Sequence, residues 1–366
     1  MKAGVFAGVL GTGGAAVANV DRLLNREDRN ELTKFQKRID DYKATSPFAP
    51  PRAMVMRDNP RPSEPVVFLR GNPQTRGPSV PRQAPAVIAS SRKPFTDGSG
   101  RLELAKAIAS PDNPLTARVL VNRVWGHHFG RPLVRTPSDF GLRSEPPSHP
   151  ELLDYLAKRF IEDGWSVKKL HKRMMLSATY QQVPGAPQPA DPENLLLAQM
   201  NRRRFDFEAL RDGLLATAGK LDRTVYGRSI DLFAKPFTPR RAVYGFVDRQ
   251  NLPGTFRVFD FASPDQHSPQ RFLTTVPQQA LFLMNSPFVT EQAKAVAART
   301  DTLKGDERVR RLYQVVLARD PTAAELALAK EFLASAEPTK PTPGQLGAWE
   351  LLTQVLLLSN EFAFVD

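Results

Sequence analysis

The feature that most constrains this chain is an abrupt change of pattern near residue 96. Residues 44–95 hold eleven prolines, with glycines at Gly71 and Gly77. Proline removes a backbone donor and clashes with the preceding helical turn, so this stretch is read as a linker or an extended wrapping segment. Inside it, "PVVFLRGNP" (Pro65 to Pro73) reads as one short strand ending in a turn. From Ser99 onward, apolar residues recur at helical spacing in segments bounded by caps.

"SGRLELAKAIAS" is a short helix. In "NPLTARVLVNRVWGHHF", Asn113 is a natural N-cap and Pro114 suits the first helical position. That helix is apolar nearly all round and is expected to be buried. In "SHPELLDYLAKRFIEDGW", Ser148 and Glu151 have capping-box spacing, and Gly164 suits the position just past the helix end. "SVKKLHKRMMLSATY" follows, with Val167, Leu170, Met174 and Ala178 read as inward-facing. A helix from about Phe205 to Ala218 comes next. "RRAVYGFVDR" and "FRVFDFA" alternate well enough to read as two short strands. "TVPQQALFLMN", with Thr275 and Gln278 at capping-box spacing, begins a helix-rich final third. There Ser286 caps one helix, Thr322 with Glu325 begins another, and a last runs from about Gln345 to Ser359. Before residue 44, Leu23, Leu24, Leu32, Phe35 and Ile39 give one amphipathic helix over 21–43. The expected fold is mainly α: a multi-helix globular domain with a small β element and a Pro-rich extended N-terminal segment. The expected divisions are 1–43, 44–95 and 96–366.

Composition narrows the chemistry. The 366 residues suffice for one large domain or two ordinary ones, and the hydrophobic fraction of 41% suits a globular protein. There is no cysteine, which excludes disulfides, thiolate nucleophiles, cysteine-ligated zinc, iron–sulfur clusters and covalent haem in these residues. No apolar run approaches the ~20 residues of a membrane span. The net charge of +13 raises nucleic acid as a partner. The basic runs are short and scattered, however: Lys168-Lys169, Lys172-Arg173, Arg202-Arg203-Arg204, Arg240-Arg241 and Arg310-Arg311. No aromatic-rich motif accompanies them, and they read as solvated helix faces. In "MKAGVFAGVLGTGGAAVANV" the Ala16-Val17-Ala18 triplet mimics a leader cleavage site, but Gly11, Gly13 and Gly14 interrupt the apolar stretch. The expectation is a chain that starts inside a longer gene product.

Three groups of residues could carry chemistry. His127 and His128 are two of only five histidines. Neighbours on a helix diverge by about 100° and cannot chelate one ion as an i, i+4 pair does. A third ligand from His149, His171 or His267 is not demanded by spacing. His128 points inward with Val121 and Val124. His127 lies at the polar edge with Arg123, ahead of the "TPSDFG" turn that carries Asp139. The second group is Arg204, Glu208, Arg211 and Asp212. Paired carboxylates can serve acid–base chemistry, but alternation with arginine reads as an ion-pair network. The third is the loop "FDFASPDQHSPQRFLTTVPQQ", where Asp260, Asp265, His267 and Arg271 could bind an anion, a sugar or a divalent ion. No Gly-x-Ser-x-Gly occurs, and "GTGGAA" lacks the spacing of a nucleotide loop.

Long phrases also occur in a characteristic order. "SGRLELAKAIASPDNPLTARVLVNRVWGHHFGRPLVRTPSDFG" precedes "HPELLDYLAKRFIEDGWSVKKLHKRMMLSATYQQ". After them come "DPENLLL", "RRRFDFEALRDGLLATAG", "FDFASPD", "TTVPQQALFLMNSPFV" and "LLLSNEFAFVD". Over roughly residues 95–366 the chain closely resembles the planctomycete PSD-one domain, domain of unknown function fifteen fifty-three. The resemblance implies a long exported, extracytoplasmic protein, in which this domain follows a second domain of unknown function and often a cytochrome-c-like module. It supplies no catalytic residues. No Cys-x-x-Cys-His is present, so neither haem nor any other cofactor or metal is expected here.

The favoured expectation is a non-catalytic binding or scaffold domain of an extracytoplasmic, cytochrome-associated protein. Its partners would be other domains of a longer parent, a cytochrome-bearing protein, or a saccharide or anionic ligand. A hydrolase acting on a polysaccharide-like substrate is the alternative, and nucleic-acid binding through the basic surface a third. The enzyme reading requires Arg123, His127, Asp139, Asp260, Asp265, His267 and Arg271 to converge.

Overall fold

The computed structural model of the chain describes residues 24–46, 48, 55–59, 61–86, 88–89, 93–186, 188–336 and 345–365. The chain divides into two compact units, Met1–Ser63 and Glu64–Asp366. Among the described residues there are thirteen α-helices and two small two-stranded sheets, so the fold is mainly α with a small β element. None of those helices is long and apolar enough to cross a membrane. The possible leader at 1–20 lies outside the described residues.

The first unit carries α1, Arg26–Thr45. Asn25 caps it by accepting from the Asp28 backbone N–H at 2.8 Å. Glu27 and Asp28 in the first turn and Lys43 in the last complement the helix dipole. Leu32, Phe35, Ile39 and Tyr42 make one stripe, yet no residue of the helix is buried, and Phe35 is 51% exposed.

The second unit opens with the antiparallel hairpin β1 (Val66–Phe68) and β2 (Arg76–Ser79), with Val66 opposite Ser79 and Phe68 opposite Arg76. The strand read from "PVVFLRGNP" is thus present and has a partner. Its turn uses Arg70 and Gly71 at φ 52° and 74°. Arg82 fastens this start by donating to Glu64 at 2.7 Å and to the Gly98 carbonyl at 2.8 Å. Helix α2 (Arg101–Ile108) follows.

Two separate hydrophobic clusters then define two lobes of this unit. Lobe one is built from α3 (Thr116–Phe129), α4 (Pro150–Glu162) and α5 (Val167–Met175). Its centre is Val121, Phe129, Leu133, Leu153, Phe160, Leu170 and Met174. Helix α4 ends in a Schellman motif. Gly164, at φ 74°, donates to the Ile161 carbonyl and Trp165 to that of Phe160.

Lobe two holds α6 (Phe207–Thr217), α7 (Gly254–Val258), α8 (Pro277–Asn285), α9 (Pro287–Ala298), α10 (Gly305–Leu317), α11 (Ala323–Ala336), α12 (Ala348–Leu357) and α13 (Asn360–Ala363). On α9, Val289, Ala293 and Val296 fall at i, i+4 and i+7 and are fully buried, so this helix forms the spine against which α12 packs. The connector between lobes contains β3 (Arg203–Arg204), which pairs antiparallel with β4 (Phe364–Val365).

Several local expectations need correction. "RRAVYGFVDR" is no strand: Ala242–Tyr244 is a 3-10 turn, because Asp212 of α6 accepts the Ala242 N–H at 2.7 Å and pins the segment down. "FRVFDFA" begins inside α7. Its buried residues Phe256 and Phe259 are three apart, a helical rather than a strand spacing. Helix α3 starts two residues late. Asn113 instead accepts from the Leu115 N–H at 2.9 Å in an Asx turn and donates to the Ile108 carbonyl at 3.2 Å, joining α2 to α3. Helix α3 is not buried all round either, since Arg123 and His127 are exposed. The box expected at Ser148 and Glu151 does not form. His149 is the cap residue before Pro150, and the Ser148 hydroxyl meets the His149 ring at 3.0 Å. The box expected at Thr275 and Gln278 shifts by one residue, with Gln279 accepting the Val276 N–H. Val167 and Ala178 are exposed rather than inward. The Thr322–Glu325 box is present: Glu325 accepts the Thr322 N–H at 2.7 Å and donates its own to the Thr322 hydroxyl at 3.3 Å.

Candidate functional site

The cleft of interest lies where lobe one meets the connector and the loop before α8. On α3, Arg123 and His127 sit four residues apart on the exposed edge, while Val121, Val124 and Phe129 turn inward. The helix stops at Gly130, which adopts φ 79° and donates to the Gly126 carbonyl at 2.9 Å. A Cβ on Gly130 would fall 2.9 Å from the Arg203 side chain, so glycine is required both for the turn and for the close approach. The last carbonyls of α3 are taken by the connector. Arg203 donates to His127 O, and the Asn201 side chain to Phe129 O at 2.9 Å. A cation at this end also matches the helix dipole.

His128 turns the other way. Its Nε2 lies 2.6 Å from Nδ1 of His171 on α5, so one ring donates to the other. Its edge packs against Tyr180 at 5.5 Å. Burial, and then the charges of His171, Arg203 and His127, hold the His128 imidazole below its ordinary pKa.

The opposite wall comes from the loop before α8. Asp260, at φ 57°, accepts from the Thr274 N–H at 2.8 Å and from its hydroxyl at 2.9 Å, which closes the loop at its base. Arg271 forms two parallel bonds of 2.8 Å to Glu208 and lies 4.5 Å over the Phe261 ring. His267 meets the Ser138 hydroxyl at 2.6 Å, stitching the loop to the turn whose Asp139 accepts the Gly141 N–H at 2.9 Å.

Of the seven candidate residues, Arg123, His127 and Arg271 therefore line one cleft of about 510 Å³. His267 and Asp139 stand beside it through Ser138, and Asp260 shapes its loop. Asp265 does not line it and makes an exposed 3.1 Å ion pair with Arg249. Of the expected set of Arg204, Glu208, Arg211 and Asp212, Arg211 and Asp212 lie 3.8 Å apart as an ion pair, while Arg204 and Glu208 are engaged elsewhere. Glu208 faces Arg271. Asp212 binds the Ala242 N–H and Arg241. Arg211, only 2% exposed, donates to the carbonyls of Arg240 at 2.9 Å and Thr238 at 2.7 Å. Arg204 bonds Gln279 and the Thr274 carbonyl.

Sequence reasoning missed Arg203, Asp206 and Gln270, which complete the cleft lining. The run Arg202-Arg203-Arg204 was the available signal. In a strand, successive side chains point to opposite faces, and here Arg203 reaches α3 while Arg204 reaches α8. A second chamber of about 440 Å³ adjoins the first, sharing Gly130, Pro132 and Gln270 with it. Its polar wall is two ion pairs, Arg131–Glu193 at 2.8 Å and Arg135–Glu145 at 3.6 Å. Among the described residues, no three His, Asp or Glu side chains are grouped so as to hold one metal ion.

A family model for PSD1, protein of unknown function (DUF1553), matches residues 100–333. No curated protein and no solved structure matches the chain. The matched span runs from α2 through most of α11, taking in lobe one and the greater part of lobe two, and includes every wall of the cleft. By that match the chain belongs to the PSD1 family, proteins of unknown function (DUF1553).

Proposed function

We propose that the cleft beside α3 binds an anionic ligand and that the domain is a non-catalytic binding module. One observation carries this reading. The arginines around the cleft are mostly engaged: Arg203 on a helix end, Arg204 on Gln279 and Arg271 on Glu208. Arg123 and His127, by contrast, line the same cleft with side chains that bond to no described residue. An unengaged guanidinium beside an imidazole one helical turn away offers directed donors to a carboxylate, sulfate or phosphate group. The carboxylates nearest the cleft are committed elsewhere. Asp206 caps α6 through the Ala209 N–H at 2.9 Å, and Glu208 holds Arg271, which favours binding over acid–base hydrolysis. The exported, cytochrome-associated setting implied by the resemblance belongs to the same reading, with the cleft presenting a ligand to neighbouring domains of a longer parent.

Calorimetric titration with inorganic sulfate tests it. The wild type should bind saturably, weakening as salt rises, and Arg123→Ala should lose at least about tenfold in affinity, or roughly 1.4 kcal/mol. Equal binding by the two proteins would overturn the assignment.

A further inference from the structure

The two adjoining chambers differ in what they can hold, and the difference points to a ligand class. In the first, Arg123 and His127 are unengaged donors suited to a charge. In the second, every charge on the wall is already paired: Arg131 with Glu193 and Arg135 with Glu145, each partner about half exposed or more. A half-exposed guanidinium–carboxylate pair presents a donor and an acceptor side by side. A hydroxyl group can accept from one and donate to the other at once, whereas an anion can only accept and would face Glu145 and Glu193. Apolar surface from Pro132, Leu133, Leu195 and Leu197 lines the same chamber and suits the C–H face of a sugar ring. Asn194 stiffens this wall, its buried amide donating to Gln199 O at 2.7 Å and to Asn201 Oδ1 at 3.0 Å.

We propose that the ligand is a linear acidic oligosaccharide that places a charged unit against Arg123 and His127 and a neutral, hydroxyl-bearing unit between the Arg131–Glu193 and Arg135–Glu145 pairs. The proposal rests on the anion-binding reading and refines it. It disfavours any polymer charged at every unit, nucleic acid included, because one charge would be set against the second chamber's carboxylates.

The test compares four probes on the intact chain by calorimetry: glucuronate, a hyaluronan tetrasaccharide (acidic and neutral units alternating), tetragalacturonate (every unit acidic) and maltotetraose (none acidic). The hyaluronan tetrasaccharide should bind at least about tenfold tighter than glucuronate and than either other tetrasaccharide. Glu193→Gln, on an exposed pair, should narrow the gap between the hyaluronan tetrasaccharide and tetragalacturonate. Equal affinity for glucuronate and the hyaluronan tetrasaccharide would overturn the proposal, as would tetragalacturonate or a single-stranded oligonucleotide binding as tightly. If sulfate and glucuronate bind but length brings no gain, the oligosaccharide falls and the anion site stands. If neither sulfate nor glucuronate binds, both fall.

Discussion

The two lobes use their polar groups in opposite ways. In lobe two, buried and half-buried arginines are structural. Arg211 ties down two loop carbonyls, Arg319 is forked between Glu325 and Glu361, and Arg308 bonds Ala297 O and lies 4.2 Å over Trp349. In lobe one, the buried polar work is done by neutral groups. The Asn122 amide bonds both ways with the Val134 backbone, at 2.8 and 3.0 Å, and His128 pairs with His171. Most of the charge that lobe one carries is paired, as in Arg118–Asp154 and Arg173–Asp163, whereas the side chains of Arg123 and His127 on the outer edge of α3 bond to no described residue. A guanidinium already holding two carbonyls or two carboxylates has little left to offer a ligand, whereas Arg123 and His127 line a cleft with their donors unengaged.

The largest effects should come from the cores. Phe129 is fully buried and stacked on Trp125 with centroids 4.0 Å apart. Phe129→Ala should cost about 3–5 kcal/mol and abolish ligand binding, because α3 carries the cleft. Leu357→Ala in lobe two, also fully buried, should cost about 2–5 kcal/mol. If denaturant titration found either change neutral, the division into two packed cores would be wrong. Next comes Arg211→Met, which keeps the stem but orphans the carbonyls of Thr238 and Arg240. A loss of about 2–4 kcal/mol is expected, against less than about 0.5 kcal/mol for Arg123→Ala on the exposed edge. Similar losses at the two positions would erase the contrast between structural and free arginines.

Acid behaviour sharpens the comparison further. The Arg319 fork lowers the Glu325 carboxyl to about 2. A folded-state value below the ordinary one means the contribution is complete above about pH 4.5 and disappears as pH falls toward 2. The stability gap between wild type and Arg319→Ala should therefore close over that window. In lobe one, His128 is held below 6.5. Its contribution is complete above pH 6.5 and declines as the unfolded chain gains the proton first. Replacing His171 with Asn should move the His128 titration, followed by NMR, back upward. A downward or absent shift would remove His171 as a cause.

Much of this architecture was readable from residue pattern. The Thr322–Glu325 box, the Gly164 stop and the Ser286 start of α9 are local signals, and each produced the expected element. Some misses came from a distant partner and others from a competing local bond, as where Asn113 made an Asx turn and His149 took the cap before Pro150. Asp212, thirty residues upstream, turned "RRAVYGFVDR" away from a strand. Buried Phe256 and Phe259 made "FRVFDFA" begin in a helix. The site was legible only on its α3 side, where Arg123 and His127 share a helix face. Its other wall is drawn from Arg203 and Gln270, some seventy to one hundred and fifty residues away. No spacing rule encodes that meeting, because the connector and the loop before α8 reach α3 through backbone carbonyls and a Ser138–His267 bond.

If the unengaged donors of Arg123 and His127 on α3 bind an anion, removing one of them must weaken binding without unfolding the chain. The most direct measurement is calorimetric titration of glucuronate into wild type and Arg123→Ala, with thermal unfolding of both as the control. The wild type should bind saturably and Arg123→Ala at least about tenfold more weakly, at unchanged stability. Identical titrations from two equally stable proteins would contradict the assignment.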